Sequence, residues 1–244
     1  MGRVGRLAVL EPEKTAIQAM FGRIAKRYDT LNHVLSLGMD FYWWRRMAVA
    51  AGASPGVKIL DMAAGTCDSA LALSRCGAQV VAGDFATPML NIGKQKIEKK
   101  RLADLVLGLI GANAANLPFK SGIFDAATIC YGIRNIEARQ LAYLEFLRVL
   151  KPGGRLVVLE FSHPKQAWLR WFCSAYVGFL LPKIGRLLSG DSEAYAYLAE
   201  SIEKFPVQRE LAQELKESGF RDVIWENLCF GVVAIHVAHK PRES

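Results

Sequence analysis

The chain lacks a close pair of cysteines, an apolar run long enough to span a bilayer, an internal repeat and a low-complexity tract. Each absence excludes a class of protein. The five cysteines (Cys67, Cys76, Cys130, Cys173, Cys229) are scattered. They fit neither a zinc site nor a disulfide framework, so no metal is expected and a reducing cytoplasm is. No signal peptide opens the sequence, which agrees with a cytoplasmic location. The greasiest stretch, within 167–182, holds a clean apolar run of only about a dozen residues, against the roughly 20 of a spanning helix. Acidic residues are in deficit: 23 Asp and Glu stand against 31 Lys and Arg, a net charge of +8. That balance suits an anionic partner (nucleic acid, phosphate or an acidic membrane surface), or merely keeps the chain soluble. With 52% hydrophobic and 22% charged residues the composition is globular. A length of 244 residues allows one large domain with a sizeable core.

The stretch that organises the rest is Val57-Lys58-Ile59-Leu60-Asp61-Met62-Ala63-Ala64-Gly65-Thr66-Cys67-Asp68. It reads as a buried strand that ends in a tight glycine turn before a helix. Small residues at Ala63, Ala64 and Gly65 let a ligand approach the backbone. The first N–H groups of the following helix point at the same spot. In open α/β sheets ligands bind at such strand ends, where strand order reverses.

Around this turn the chain alternates. Residues 17–27 carry an amphipathic helical pattern, and dense aromatics at Phe41, Tyr42, Trp43 and Trp44 suggest a helical cap over a pocket, or ordinary packing of an N-terminal helix pair on the sheet. Helices are expected near 67–76, 87–101 and 137–150, with strands over 79–84, 105–111, 124–131 and 155–161. Lys151-Pro152-Gly153-Gly154 is a stop between the third of these helices and the last strand. Strict alternation predicts an α/β, doubly wound, mostly parallel sheet with helices on both faces. The runs 223–228 and 232–239 predict a terminal hairpin with at least one antiparallel strand. The apolar insertion at 167–182, flanked by Lys165, Arg170, Lys183 and Arg186, predicts an interfacial or pocket-covering helix, with a buried amphipathic helix as the plainer alternative. The division is then 1–52 cap, 53–162 cofactor-binding core, 163–206 helical insertion, and 207–244 C-terminal helix and hairpin.

The turn fails the Gly-x-Gly-x-x-Gly spacing of dinucleotide sites and carries no lysine for phosphates. Asp84 closes the second strand, where a carboxylate can hold both hydroxyls of a ribose. Asn113-Ala114 closes the third, where an amide and a backbone N–H can read an adenine edge. A nucleoside without phosphates, such as S-adenosylmethionine, fits better than NAD.

From about Phe21 to Lys240 the sequence resembles the ubiquinone/menaquinone biosynthesis C-methyltransferases of the UbiE type. The resemblance is carried by Tyr28-Asp29 with Asn32, Ser36-Leu37-Gly38, Leu60-Asp61 through Thr66, Asp84 with Met89-Leu90, and Asn113-Ala114 with Leu117-Pro118-Phe119. More specific are Tyr131-Gly132-Ile133-Arg134-Asn135, Leu159-Glu160-Phe161-Ser162 and the Tyr-x-Tyr-Leu-x-x-Ser-Ile-x-x-Phe-Pro run of 195–206. The resemblance implies a class I, seven-stranded methyltransferase fold with S-adenosylmethionine at the strand ends. Its cofactor positions fall on Thr66, Asp84, Asn113, Ala114 and Cys130, and we add Asp61, Ala63, Gly65 and Phe85 from the turn and strand ends.

Four positions depart from the family pattern: Cys67 where glycine is usual, Ala115 where an acid is common, Asp40 where many members have histidine, and His163 where lysine is common. A side chain at Cys67 is expected to crowd the methionine end of the cofactor or to need a small backbone shift. The implied reaction moves a methyl group to an electron-rich ring carbon of a polyprenyl quinol. Arg134 is the candidate to stabilise the developing phenolate or to hold a water that takes the proton. Tyr28 and Asp29 could orient the ring, and His163 has a suitable ordinary pKa for a base, unless it is a plain loop histidine. The polyprenyl tail implies transient contact with the inner membrane face, the family implies a homodimer, and no nucleic acid is expected. Two other readings remain: a same-fold methyltransferase with another small-molecule or RNA acceptor, and a nucleoside-binding protein without catalysis.

Overall fold

The computed structural model describes residues 20, 22, 23, 25, 28–34, 36–176 and 192–242. Seven strands form one sheet in the order β3-β2-β1-β4-β5-β7-β6. They are β1 (Lys58–Met62), β2 (Gln79–Asp84), β3 (Val106–Gly111), β4 (Phe124–Cys130), β5 (Leu150–Phe161), β6 (Arg221–Leu228) and β7 (Val233–His239). The first five run parallel, and β7 inserts antiparallel between β5 and β6. This is the doubly wound sheet with a terminal hairpin that the alternation predicts.

Helices cover both faces, so the parallel strands are near-continuous apolar runs rather than alternating ones. In β1, every residue after Lys58 is buried. On one face Ile59, Val80 and Leu159 pack against Trp43 and Met47 of α2 (Met39–Ala50), Leu71 of α3 (Asp68–Ser74) and Leu90 of α4 (Thr87–Lys99). On the other, Leu60, Ile129 and Val158 meet Phe146 of α5 (Arg139–Val149) and Leu211 and Leu215 of α8 (Gln208–Glu217). Each such large side chain stabilises by about 1.5–3 kcal/mol when fully buried. A helical segment at 28–34, α1, precedes α2. Pro88 opens α4 at a position that needs no N–H, and Lys96 and Lys99 sit in its last turn, where cations suit the helix dipole.

One boundary differs from expectation. Lys151-Pro152-Gly153-Gly154 ends α5 but is itself drawn into β5. Gly153 takes φ 75°, the ladder shifts register between Phe124 and Ala126, and residues 153 and 154 exchange hydrogen bonds with Lys240 of 3.1 and 2.8 Å. Of the insertion, α6 (Ala167–Ala175) and α7 (Ser192–Glu203) are described. Lys183 and Arg186 lie outside the described residues, as does most of 17–27.

Candidate functional site

Strand order reverses between β1 and β4, and a cleft of ≈ 1040 Å³, open to solvent, lies across the C-terminal ends of β1 to β4. The turn after β1 shapes its floor. Ala63 (φ 55°), Gly65 (φ 52°) and Cys67 (φ 67°) all take left-handed backbone, a clustering of strain that marks functional sites. Asp84, at the end of β2, holds the turn in place. Its Oδ2 accepts the Gly65 N–H at 2.8 Å and its Oδ1 accepts the Ala86 N–H, at the head of α4, at 2.7 Å. Burial pushes the Asp84 carboxyl above its ordinary value, against the pull of these N–H groups. Beneath the turn, Asp61 is fully buried and accepts Ser69 Oγ at 2.6 Å and Thr128 Oγ1 at 2.7 Å. Asn113 bends the chain after β3 by accepting the Ala115 N–H on Oδ1 at 3.0 Å, which leaves its Nδ2 donors to the cleft.

The charge of the lining is informative. Among the described residues Asp84 and Glu137 are the only carboxylates of the lining, and no Lys, Arg or His stands with them. A strongly basic protein thus carries an acidic cleft, which disfavours a pyrophosphate and favours a cation.

Eight of the expected site residues line this cleft: Tyr28, Ala63, Gly65, Asp84, Phe85, Asn113, Ala114 and Cys130. Five do not. Asp61 is the buried support just described. Thr66 donates to Asp29 Oδ1 and accepts Lys96 Nζ at 3.1 Å, while Lys96 also reaches Asp29 at 2.7 Å and Asp68 at 2.8 Å. That cluster ties α1, the turn, α3 and α4 together behind the cleft. His163 Nε2 donates to the Phe205 carbonyl at 3.0 Å, a loop contact away from the lining. Arg134 is buried behind the β4 end, where Nη1 bonds Glu160 Oε1 at 2.5 Å and the Tyr131 carbonyl at 2.8 Å, and Nε reaches Ser201 Oγ at 3.3 Å. Tyr197 also donates to Asn135 at 3.1 Å, so α7 lies over the 133–135 turn.

Sequence comparison now bears on this geometry. Residues 9–240 match the ubiE/COQ5 methyltransferase family. The chain belongs to that family. It is 44% identical over 233 residues to a demethylmenaquinone methyltransferase of Streptomyces avermitilis, covering 96% of this chain and 98% of that one. A Mycobacterium tuberculosis protein of the same name is 42% identical over 240 residues, covering 97% of each. Among solved structures, the [4+2]-cyclase SpnF superposes with a TM-score of 0.69 at 18% identity, over 93% of this chain and 96% of that one. An S-adenosylmethionine-dependent methyltransferase from Thermotoga maritima gives 0.61 at 17%, over 91% and 99%. These two establish the class I methyltransferase fold and nothing more, since a cyclase shares it.

Within the family, the departures find local accommodation. Cys67 is wholly buried in the core and does not line the cleft. Its Sγ occupies the space beside Gly93 of α4, where an added Cβ would lie 2.3 Å away. The expected crowding of the cofactor end is therefore not what the fold produces. A left-handed backbone turns the thiol into the helix interface instead, and the reason to suspect a non-catalytic protein goes with it. Asp40 is buried and paired with His33 of α1. Ala115 contributes its N–H to the Asn113 bend.

Sequence reasoning missed three residues that organise the site: Lys96, Glu160 and Tyr131. Glu160 left a signal, because a carboxylate at the end of an apolar strand is almost never buried without a partner. Lys96 left none, since it reads as one of several lysines on a solvated helix end.

Proposed function

We propose that this protein transfers a methyl group from S-adenosylmethionine to a ring carbon of demethylmenaquinol, the reduced polyprenyl naphthoquinone. The observation that carries this reading is 42–44% identity, over nearly the whole chain, to proteins bearing the name demethylmenaquinone methyltransferase. The cleft suits the donor. Asp84 accepts backbone N–H groups of Gly65, Ala86 and Phe85, and its remaining acceptor capacity would meet a ribose hydroxyl. Phe85 would lie along the adenine, and Asn113 Nδ2 with the Ala114 backbone would meet its edge. Ala63 and Gly65 leave the methionine end close to backbone, and the lining, which among the described residues is acidic and without cations, favours a sulfonium. The donor, when bound, supplies a methyl group already activated as a sulfonium. Catalysis by the protein is then mostly alignment and phenolate stabilisation.

Tyr28 reaches the cleft from α1, and burial pushes its hydroxyl up to about 12, so it works as a donor at neutral pH. Arg134 is not a base, since guanidinium stays charged. Bound to Glu160 and Tyr131, it supplies a fixed positive charge behind the acceptor side. Asp29 acts through Lys96 to seat the cap on the turn.

Among the described residues no helix is long and apolar enough to cross a membrane. The polyprenyl tail would be met at the surface by α6, whose Trp168 and Trp171 are 69% and 74% exposed. Tryptophan favours the headgroup level. Replacing both with alanine should weaken sedimentation with anionic vesicles and leave S-adenosylmethionine affinity intact.

The direct test is transfer of label from S-adenosylmethionine to demethylmenaquinol, with a 2-methoxy-6-polyprenyl-benzoquinol run in parallel. Label in the naphthoquinol is the expected result. Label in neither, with the donor bound normally, would overturn the acceptor assignment.

A further inference from the structure

Among the described residues, Tyr28 is the only part of α1 that lines the cleft. Its place there is the seam between the two sides. Burial pushes its hydroxyl up to about 12, an Asn32 hydrogen bond and the Arg134 guanidinium pull it down, and the Cys130 thiol and Asp84 carboxylate push it up again. Tyr28 is thus within electrostatic reach of Asp84 on the donor side and of Arg134 on the other. Apolar packing brings α1 to this position: Ala25 and Tyr28 lie against Ala86 and, on α4, Met89 and Ile92. Packing against methionine is adaptable and does not by itself fix how a helix is rotated about its axis.

A polar cluster does fix it. Asp29, the next residue, leaves the helix about 100° round from Tyr28 and is not part of the lining. Its Oδ2 accepts Lys96 Nζ at 2.7 Å, and its Oδ1 accepts the Thr66 hydroxyl. Lys96 Nζ also reaches Thr66 Oγ1 at 3.1 Å and Asp68 Oδ1 at 2.8 Å. An ammonium has three N–H donors, and here each has an acceptor. The acceptors come from α1, from the turn after β1 and from the head of α3, while the ammonium comes from α4. Lys96 and the two carboxylates keep 20–25% of their side-chain surface exposed. Ion pairs so open to water contribute little net stability. What the cluster supplies is geometry, because a carboxylate gripped at both oxygens is fixed in direction as well as distance.

We propose that Lys96 is a positioning residue for methyl transfer: through Asp29 it fixes the distance and rotation of α1, and so holds the Tyr28 hydroxyl at the seam where donor and acceptor would meet. This rests on the methyl-transfer reading and deepens it, by naming a residue outside the cleft that sets the alignment inside it. Thr66 gives the latch a second hold. It follows Gly65, whose N–H Asp84 accepts at 2.8 Å, so the cap and the donor turn are tied to one ammonium. Alignment of this kind is worth rate more than affinity, since a small misplacement made far from the chemistry already lowers turnover. Tyr28 touches the substrate under this reading. Lys96 does not, and no proton or methyl group passes through it.

The test is a double-mutant cycle on methyl transfer to demethylmenaquinol, with wild type, Lys96→Met, Tyr28→Phe and the two changes together. Calorimetric affinity for S-adenosylmethionine and Tm serve as controls. Tyr28→Phe removes one hydrogen bond and should lower kcat about 10-fold. Lys96→Met should lower kcat about as far, with donor affinity nearly unchanged. The double variant should also sit about 10-fold below wild type, because a displaced hydroxyl and a missing one are the same loss. A double variant about 100-fold down would overturn the proposal, since independent losses multiply. So would a Lys96→Met protein with the kcat of wild type. Should Lys96→Met fail to fold, Asp29→Asn takes its place in the cycle, keeping the oxygen that accepts from Thr66 and removing the charge that faces Lys96. Hydrogen exchange over residues 28–34 reads the latch without any acceptor. It should quicken in Lys96→Met while β1 and β4 keep their protection, and an unchanged α1 would overturn the proposal. A wild type that methylates no quinol would sink the methyl-transfer reading itself, and the exchange result would still decide whether Lys96 holds α1.

Discussion

The two sides of the cleft are held by different means. Beside β1 and β2, one carboxylate gathers backbone N–H groups from two segments, and the nearby side chains are small. Beside β4 and β5, a guanidinium and a carboxylate are buried together, at 6% and 2% side-chain exposure, among aromatic rings. The first arrangement brings the backbone close to a ligand. The second places strong polar groups in a dry, apolar chamber. A nucleoside needs the former, and a reaction that develops charge on an aromatic ring gains from the latter.

The largest expected effect comes from splitting the buried pair. Arg134→Met strands the Glu160 charge, which costs about 3–5 kcal/mol and roughly 10 °C of Tm in a chain of this size. Adding Glu160→Gln should recover most of that stability while methyl transfer stays lost. Recovery of activity together with stability would mean the pair is structural only. Next is Asp84→Asn, which removes a charged acceptor on the other side. Donor affinity, read by calorimetry, should fall about 100-fold, with the acceptor KM of the residual activity unchanged. Equal damage to both ligands would show that the two sides are one unit.

This contrast also explains what the sequence makes legible. The fold and the donor side lie in short contiguous signals: an apolar strand, Ala63-Ala64-Gly65, then Asp84 and Asn113 each closing a strand. Ala63, Gly65, Asp84 and Asn113 all appear in the lining, while Ala64 turns into the core. The cluster behind the ends of β4 and β5 draws Trp43, Tyr131, Arg134, Glu160 and Ser201 from segments far apart in the chain. The family motifs containing Arg134 and Glu160 stand out singly, and only folding shows that they meet. Thr66 and Asp29 belong to the matched motifs but turn to Lys96, because hydroxyl and carboxylate find a half-buried ammonium there. Periodicity also cannot foresee that Gly153-Gly154 would be captured by Lys240 as strand.

Where the two sides touch, a single methyl should couple them. A Cβ at Gly132 would lie 2.2 Å from the Ala63 Cβ, at the junction of the β4 and β1 turns. Gly132→Ala should cost about 1–3 kcal/mol by overpacking and weaken both ligands together. Because the obstructing atom is the Ala63 side chain, the double variant with Ala63→Gly should regain most of the loss, and φ 55° at Ala63 suits glycine. A Gly132→Ala protein that loses one ligand and keeps the other would break the idea of a shared floor.

The smallest effect isolates the support under the turn from both ligand sides. Burial lifts Asp61 from 3.8 to about 6, against the Ser69 and Thr128 hydroxyls that favour its ionised form. A carboxyl raised in the folded state binds its proton more tightly there than in the unfolded chain. Its contribution to stability is therefore full below pH about 4 and is lost as pH rises to about 6, at up to about 1.4 kcal/mol per pH unit. Above that window the contribution is flat. Asp61→Asn cannot titrate, so the Tm of that variant should lose this downward slope while wild type keeps it. Parallel Tm curves for the two proteins between pH 4 and 6 would show that Asp61 is ionised throughout, held so by its two hydroxyl donors.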